Sequence, residues 1–372
     1  MQMRTYARRV TSLGKLMAPG PHNPVYLLMF VTNRCTAACD HCFYWRELNK
    51  NVKEELTLEE YEKVARSLGP MFQVTFTGGS PELRTDLPQI VEQFYRYCSP
   101  SQMTFCMLGN ATDRIVTQAE AMLKNCPGQR FNIAISLDGL GEEHDRLRQV
   151  PGLFDRVIAT VRRLGDLKRH WSNLRVGIGI TVHGLNYKSA ERTSSWVREN
   201  LPVNMLKPIL VRGNPMNPET LNDMCKTTYL KVVDHDRNWV NGNRGGIFSP
   251  MDFVVCAKEA MQRTIIGSIS HGKRQELKCG GARETAVIYP NGQVAGCELR
   301  DDILGNVRNV NYQFSRIWFN DRAKAFRRTA GRVSECQGCY HHCFLAPAMF
   351  RTPELWPMLL KTAWQIHRHS GN

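Results

Sequence analysis

Short apolar runs recur along the first 215 positions, separated by longer stretches in which apolar and charged residues mix. The first run, Val25 to Val31 (VYLLMFV), reads as a strand and is far too short to span a bilayer. Further strands are predicted at 73–77, 102–108, 131–137, 175–182 and 203–210. Helices are predicted between them at 56–69, 85–97, 112–125, 153–169 and 187–199. The first carries its own start signal, Thr57 as cap with Glu60 three residues on. Strands alternating with helices of this length predict an α/β fold, a parallel sheet with helices on its outer face.

Outside that repeat the pattern changes. Residues 1–24 are a basic lead-in with room for a short helix. A helix is predicted around 217–236, and the glycines and asparagines of WVNGNRGGIFSPMDF then mark turns. From 279 onward, TAVIY, a PNG turn and QVAG form a hairpin-like unit. Residues 354–368 mix leucine, methionine and tryptophan with basic residues. This tail is amphipathic enough to lie on a membrane, but a helix packed back on the protein is the favoured reading.

Composition narrows the class. The chain has 372 residues, 42% hydrophobic and 22% charged, which suits a soluble globular protein with one large and one smaller domain. A formal net charge of +15 favours an anionic partner, without choosing among nucleic acid, acidic peptide, phosphorylated metabolite and anionic membrane. Thirteen cysteines in close-spaced clusters argue against a disulfide framework and for a reducing cytoplasm. The N-terminus lacks the continuous apolar core of a signal peptide. No recognised RNA-binding module follows the core, and neither a Ser-His-Asp set nor a P-loop is present.

The cysteines carry the chemistry. Cys35, Cys39 and Cys42 have C-x3-C-x2-C spacing directly behind the first strand. A loop can fold three thiolates at that spacing onto one small metal site. Three ligands leave one iron of a cubane cluster open to a substrate or cofactor, whereas four would seal it. Thr77-Gly78-Gly79-Ser80-Pro81-Glu82 ends the next strand, and glycines there admit positive φ and close approach to the backbone. Cys279 and Cys297 flank the hairpin, with four residues between Gly292 and Cys297. Cys336-Gln-Gly-Cys339 and Cys343 follow, offering four or five thiolates for a second site. Zinc is the competing occupant of either constellation.

Together these motifs resemble the radical S-adenosylmethionine (SAM) superfamily with a C-terminal SPASM or shorter twitch extension. The resemblance covers roughly residues 25–215 and 279–345. It implies a partial (β/α)6 barrel followed by a small cysteine-rich α+β domain, with 216–278 as a linker or helical insertion and 346–372 as a tail. It implies a [4Fe-4S] cluster with one open iron on Cys35, Cys39 and Cys42, and SAM chelated to that iron. Reductive cleavage then gives a 5'-deoxyadenosyl radical that abstracts a substrate hydrogen. Gly78, Gly79, Ser80 and Pro81 match the superfamily's GGEP loop, with Ser80 where glutamate is common. His41 stands where an aromatic often packs near the adenine. Ser136 matches a ribose-contacting position, Thr181 lies in the segment near the adenine, and Arg212 is a candidate anchor for a carboxylate.

The same resemblance implies one auxiliary [4Fe-4S] cluster on Cys279, Cys297, Cys336 and Cys339, with Cys343 as a substitute or an additional ligand. Cys256 lies near enough in sequence to join. Glu298 resembles the acidic residue taken as proton acceptor in sulfatase-maturing members, and His341 and His342 fall beside the last cysteines. The implied activity is oxidation or cross-linking of a peptide. The alternative is a dehydrogenase or modifying enzyme acting on an aminocyclitol, a phosphorylated metabolite or a lipid-linked molecule. An electron donor such as flavodoxin or ferredoxin is implied. With only thirty-four residues before Cys35, two readings stay open: a separate peptide-recognition protein supplies leader binding, or the substrate is not a peptide.

Overall fold

The computed structural model describes residues 2–17, 22–242, 250–270, 277, 279–336 and 339–369. Six parallel strands alternate with helices: β1 Tyr26–Thr32, β2 Gln73–Gly78, β3 Gln102–Met107, β4 Phe131–Ser136, β5 Leu174–Val182 and β6 Met205–Leu210. Helix α1 (Gln2–Met17) precedes them. The connecting helices are α2 Leu58–Leu68, α3 Leu87–Cys98, α4 Thr112–Asn125, α5 Glu142–Arg148, α6 Leu153–His170 and α7 Ala190–Asn200. Then come α8 Met224–Gly242, α9 Pro250–Ser270, the strands β7 Thr285–Ile288, β8 Gln293–Ala295 and β9 Ile303–Asn306, and helices α10 Phe314–Trp318, α11 Asp321–Thr329, α12 His342–Phe350 and α13 Trp356–His369.

Local chemistry explains these elements. In α2 the Thr57 hydroxyl accepts from Glu60 N, and the Glu60 carboxylate accepts from Thr57 N. This capping box satisfies two helix-start donors at once. Tyr61, Val64, Ala65 and Leu68 then follow at helical spacing and are all buried. In β2 and β3 the side chains alternate. Val74, Phe76, Met103 and Phe105 enter the core under the helices, while Gln73, Thr75, Gln102, Thr104 and Cys106 face the other way, into the concave interior.

The sheet runs β6-β5-β4-β3-β2-β1-β7-β8-β9. The hairpin was expected in a separate small domain, yet β7 pairs in parallel with β1, from Tyr26↔Thr285 to Met29↔Ile288. An open six-stranded barrel leaves the backbone of its first strand unpaired, and β7 covers that edge. Glu284 adds to the seam, its carbonyl accepting from Val25 N and Tyr26 N at 2.9 Å each. β8 and β9 continue antiparallel.

Two expectations change in detail. The lead-in holds a sixteen-residue helix rather than a short one, with Leu16 packed beside Phe350 and Ala346. The stretch after 215 contains two long helices, and α9 is a wall of the central cavity. The turn reading at 243–249 lies outside the described residues. The C-terminal tail packs back, with Leu359 of α13 against the Met261, Ile265 and Met349 cluster. Among the described residues no helix is long and apolar enough to cross a membrane.

Candidate active site

The loop after β1 is held by side chains as much as by backbone. Glu55 accepts from the Thr32 hydroxyl at 2.6 Å and Asn33 N at 2.9 Å. Asn33 in turn accepts from the Tyr44 hydroxyl at 2.6 Å and donates to Lys50 O at 3.0 Å. Asn49 accepts from Cys35 N at 3.0 Å. These ties bend residues 33–50 back over the strand end, so that Cys35, Cys39 and Cys42 all line one cavity of about 320 Å3.

The glycine loop serves this bend directly. A Cβ on Gly79 would sit 2.2 Å from Arg34 O, and one on Gly78 would sit 2.4 Å from Thr32 O. Gly79 N and Ser80 N donate to Thr32 O and Arg34 O at 2.8 and 2.7 Å. The close approach foreseen for a ligand is thus used first by the chain's own cysteine loop. Gly78 and Gly79 also line the cavity. Ser80 and Pro81 are buried, with Ser80 Oγ 3.4 Å from Cys35 Sγ and Pro81 opening a 3-10 turn. Glu82, not singled out in the sequence, is buried and accepts from Leu108 N and Gly109 N at 3.1 Å, locking this loop to the end of β3.

Ser136 and Thr181 line the same cavity from β4 and β5. His41 lines it too, buried and stacked on His183 with ring centroids 4.6 Å apart, so it is not a solvent-facing histidine. Its Nε2 is 3.6 Å from Asp138 Oδ2. Asp138 does more than cap a turn. It accepts from Arg148 Nε at 2.7 Å and from Thr181 N at 2.8 Å. Burial alone would raise its pKa, but Arg148 and then His41 hold it well below the usual carboxylate range. Arg148 also points Nη1 at Cys39 Sγ, 3.7 Å away. Nothing in the local sequence marks this arginine, which the α5 turn brings back across the cavity floor.

Arg212 lines the cavity, and the carboxylate it anchors is Glu298, at 2.9 Å from Nη2. Glu298 is buried rather than exposed at a strand end. His341 Nε2 lies 2.6 Å from the same Oε1 in a contact not aligned as a hydrogen bond, burial lowers the imidazole's pKa, and its Nδ1 accepts from Cys343 N at 3.3 Å. Burial works to raise the Glu298 pKa, but His341 and Arg212 overcome it and hold the carboxyl at about 2. Glu298 also borders a second cavity of about 360 Å3 lined by Tyr44, Arg46, Asn214, Tyr289 and Arg300.

The thiols fall into two groups. Cys35, Cys39 and Cys42 act electrostatically on one another, and so do Cys279, Cys297, Cys336 and Cys339. Burial pushes Cys39 up to about 12, and Cys42 and Cys279 up to about 11. Thiols grouped in this way would suit a cationic iron centre that displaces their protons. Cys343 differs: it lines the central cavity, and its thiol faces Glu298, Arg212, Cys106 and Lys207. The side chain of Cys256 lies outside the described ones.

Comparison with known proteins agrees with this geometry. The radical SAM superfamily model matches residues 29–197, and an iron-sulfur cluster-binding SPASM model matches residues 279–340. The chain carries a radical SAM domain followed by a C-terminal SPASM auxiliary iron-sulfur domain. Those two domains imply a SAM-binding [4Fe-4S] cluster and auxiliary iron-sulfur chemistry.

It is similar to the PqqA peptide cyclase of Bradyrhizobium diazoefficiens, 24% identical over 346 residues, covering 85% of this chain and 78% of the relative. In fold it is similar to native anSMEcpe with bound AdoMet and Cp18Cys peptide, at TM-score 0.59 and 16% identity over 94% of this chain and 99% of that one. Streptococcus suis SuiB bound to S-adenosylmethionine gives TM-score 0.57 and 13% identity over 93% and 80%.

Proposed function

We propose that this enzyme oxidises or cross-links a peptide. Cys35, Cys39 and Cys42 would hold the cluster whose open iron takes SAM, and Cys279, Cys297, Cys336 and Cys339 would hold one auxiliary cluster. When bound, the first cluster and SAM supply a 5'-deoxyadenosyl radical able to take hydrogen from an unactivated carbon. The chain's own part is positioning and charge. Gly78, Gly79, Ser136, Thr181 and His41 would shape the SAM site, and Asp138 with Arg148 orients its wall. The Glu82 and Glu55 ties keep the cysteine loop from drifting, which matters because a misplaced radical is wasted.

One observation carries this reading. Glu298, next to the second group's Cys297, reaches the wall of the cavity that Cys35, Cys39 and Cys42 line. A substrate there would sit beside the Glu298 carboxylate, on the same wall as Arg212 and close in the chain to the second thiol group. Arg212 and His341 would hold that carboxylate on target. The named peptide cyclase and the peptide-bound neighbour support a peptide as substrate. An electron donor of the flavodoxin or ferredoxin type would supply the reducing electron, in a cytoplasmic setting, and a separate recognition protein would present the peptide.

The test is anaerobic reconstitution with iron and sulfide, followed by SAM and a strong reductant. About eight irons per chain with 5'-deoxyadenosine formation is the expected result. Replacing Cys279 and Cys336 together should remove about half the iron. Zinc retention without SAM cleavage would overturn the reading, and unchanged iron in the double variant would overturn the auxiliary assignment.

A further inference from the structure

The second group of thiols lies close under the surface. Gly331, exposed and at φ +79°, follows α11, and a Cβ on it would sit 3.6 Å from Cys279 Cβ. On the inner side of α11, Phe326 is buried against the same group. A Cβ on Gly281 would sit 3.2 Å from Phe326 Cε1 and 3.3 Å from Cys279 Sγ. On this side one helix, about 10 Å across, separates Cys279 from solvent.

The outer face of this cover is cationic. Residues 314–332 carry six basic side chains and a single acid, Asp321. Arg327 turns inward to Ala282 O and Trp318 O, and Lys324 pairs with Asp321 at 2.9 Å. Arg316, Arg322 and Arg328 are exposed, and among the described residues their guanidinium groups have no salt bridge or hydrogen bond. Arg328 and Asp321 interact only at longer range. Arg300, over the Phe326 ring, holds Asp302 at 2.7 Å, and Asp301 borders the second cavity. Phe319, between α10 and α11, is an exposed aromatic in the same stretch. Arginine and aromatic residues are both enriched where proteins meet proteins. None of these four residues lines either cavity.

On the reading that Cys279, Cys297, Cys336 and Cys339 hold the auxiliary cluster, we propose that the face bearing Arg316, Phe319, Arg322 and Arg328 docks an acidic one-electron carrier protein. Charge selects the sign of the partner, because exposed cations without counter-ions steer a negative surface inward and repel a basic one. Placement selects its kind. A nucleic acid would satisfy the arginines but gains nothing from thiols one helix away, whereas a redox protein docked there lies beside the site it exchanges electrons with. The central cavity stays free for substrate while the carrier is bound.

The experiment is anaerobic calorimetric titration of the reconstituted full chain with an oxidised flavodoxin and a plant-type [2Fe-2S] ferredoxin, both acidic, at low and at high salt. Cytochrome c, a basic carrier, and a DNA oligonucleotide are the controls. At least one acidic carrier should bind at low salt and weaken as salt rises, and cytochrome c should not bind. Arg322→Gln with Arg328→Gln should weaken the carrier at least about tenfold, and the corresponding pair of lysine substitutions should keep most of the affinity. Arg146→Gln with Arg162→Gln removes the same charge from α5 and α6 and should leave binding unchanged. In stopped flow, the reduced chain should pass one electron to oxidised flavodoxin, giving its semiquinone as one cluster is oxidised by one electron. The first glutamine pair should slow that transfer. No binding of either carrier, equal loss in both glutamine pairs, transfer unchanged in the first pair, or an oligonucleotide bound as tightly and lost in the same variant overturns the proposal. Melting temperature and iron content show that each variant is folded and loaded, and Arg316→Gln with Arg322→Gln replaces the first pair if it is not. SAM cleavage driven by a chemical reductant needs no carrier, so failure to dock is distinguishable from failure of the parent enzyme.

Discussion

At the scale of residues, the site depends on groups whose importance lies in what they touch. Glu298 is one: its carboxylate is held by Arg212 and His341 inside the protein. Removing one member of a buried ion pair leaves an uncompensated charge, which typically costs about 3–5 kcal/mol. Arg212→Met should therefore destabilise the folded chain by roughly that much in anaerobic denaturant titrations, and Arg212→Met with Glu298→Leu should recover much of the loss. Gly79 is another. A Cβ 2.2 Å from Arg34 O cannot be accommodated without moving the backbone of the cysteine loop. Gly79→Ala should lower reconstituted iron by about half, the share of one of the two proposed [4Fe-4S] clusters, with the remainder still bound. Full iron loading in that variant would show that the loop tolerates the shift. The cysteines and glycines were legible in the sequence because their spacing is local. Arg148 and Glu82 were not, because Arg148 meets the Cys39 sulfur across 109 residues of chain and Glu82 binds Leu108 N across 26.

At the scale of elements, α2 links the two halves of the protein. Its capping-box residue Glu60 also accepts from Arg308 at 2.6 Å and from the Tyr312 hydroxyl at 2.8 Å, both beyond β9. The Arg308 hydrogen bond dominates in holding the Glu60 pKa down to about 2, against an ordinary 4.5. A carboxyl depressed on folding adds stability at pH values above its unfolded pKa, and that contribution fades as pH falls through the folded one. Glu60→Gln should thus melt at a lower temperature than the parent above about pH 4.5, with the gap closing toward pH 2. A gap independent of pH over that range would show that the carboxylate charge is not what matters. Thr57 and Glu60 were readable as a helix start. Their second use, as the anchor for Arg308, needed the fold.

At the scale of the molecule, the nine-stranded sheet makes the auxiliary region part of the barrel's edge. β7 pairs with β1, and the buried Glu284 side chain is bound by Arg351 from beyond α12. A chain cut before residue 279 would bare the backbone of β1 and lose the two bonds to Glu284 O. Such a truncation should associate through that edge, seen as large species in light scattering during expression and refolding. A monodisperse, soluble truncation would mean that the barrel closes without its neighbour.

The sequence alone determined the alternation of strands and helices, the cap of α2, the cysteine spacings and the glycine loop. Each of these depends on residues a few positions apart, where periodicity and backbone geometry are decided. Even the polar inner face was written in the alternation QVTFT and QMTFC, since period two assigns Gln, Thr and Cys to one side. Only the tertiary structure decided what that face encloses. It joined β7 to β1, placed Glu298 on the wall of the cavity that Cys35, Cys39 and Cys42 line, turned Cys343 toward the lumen and set α9 across the barrel. Those outcomes depend on which distant surfaces bury together and which charges are left to face one another. A one-dimensional pattern contains no distance between them.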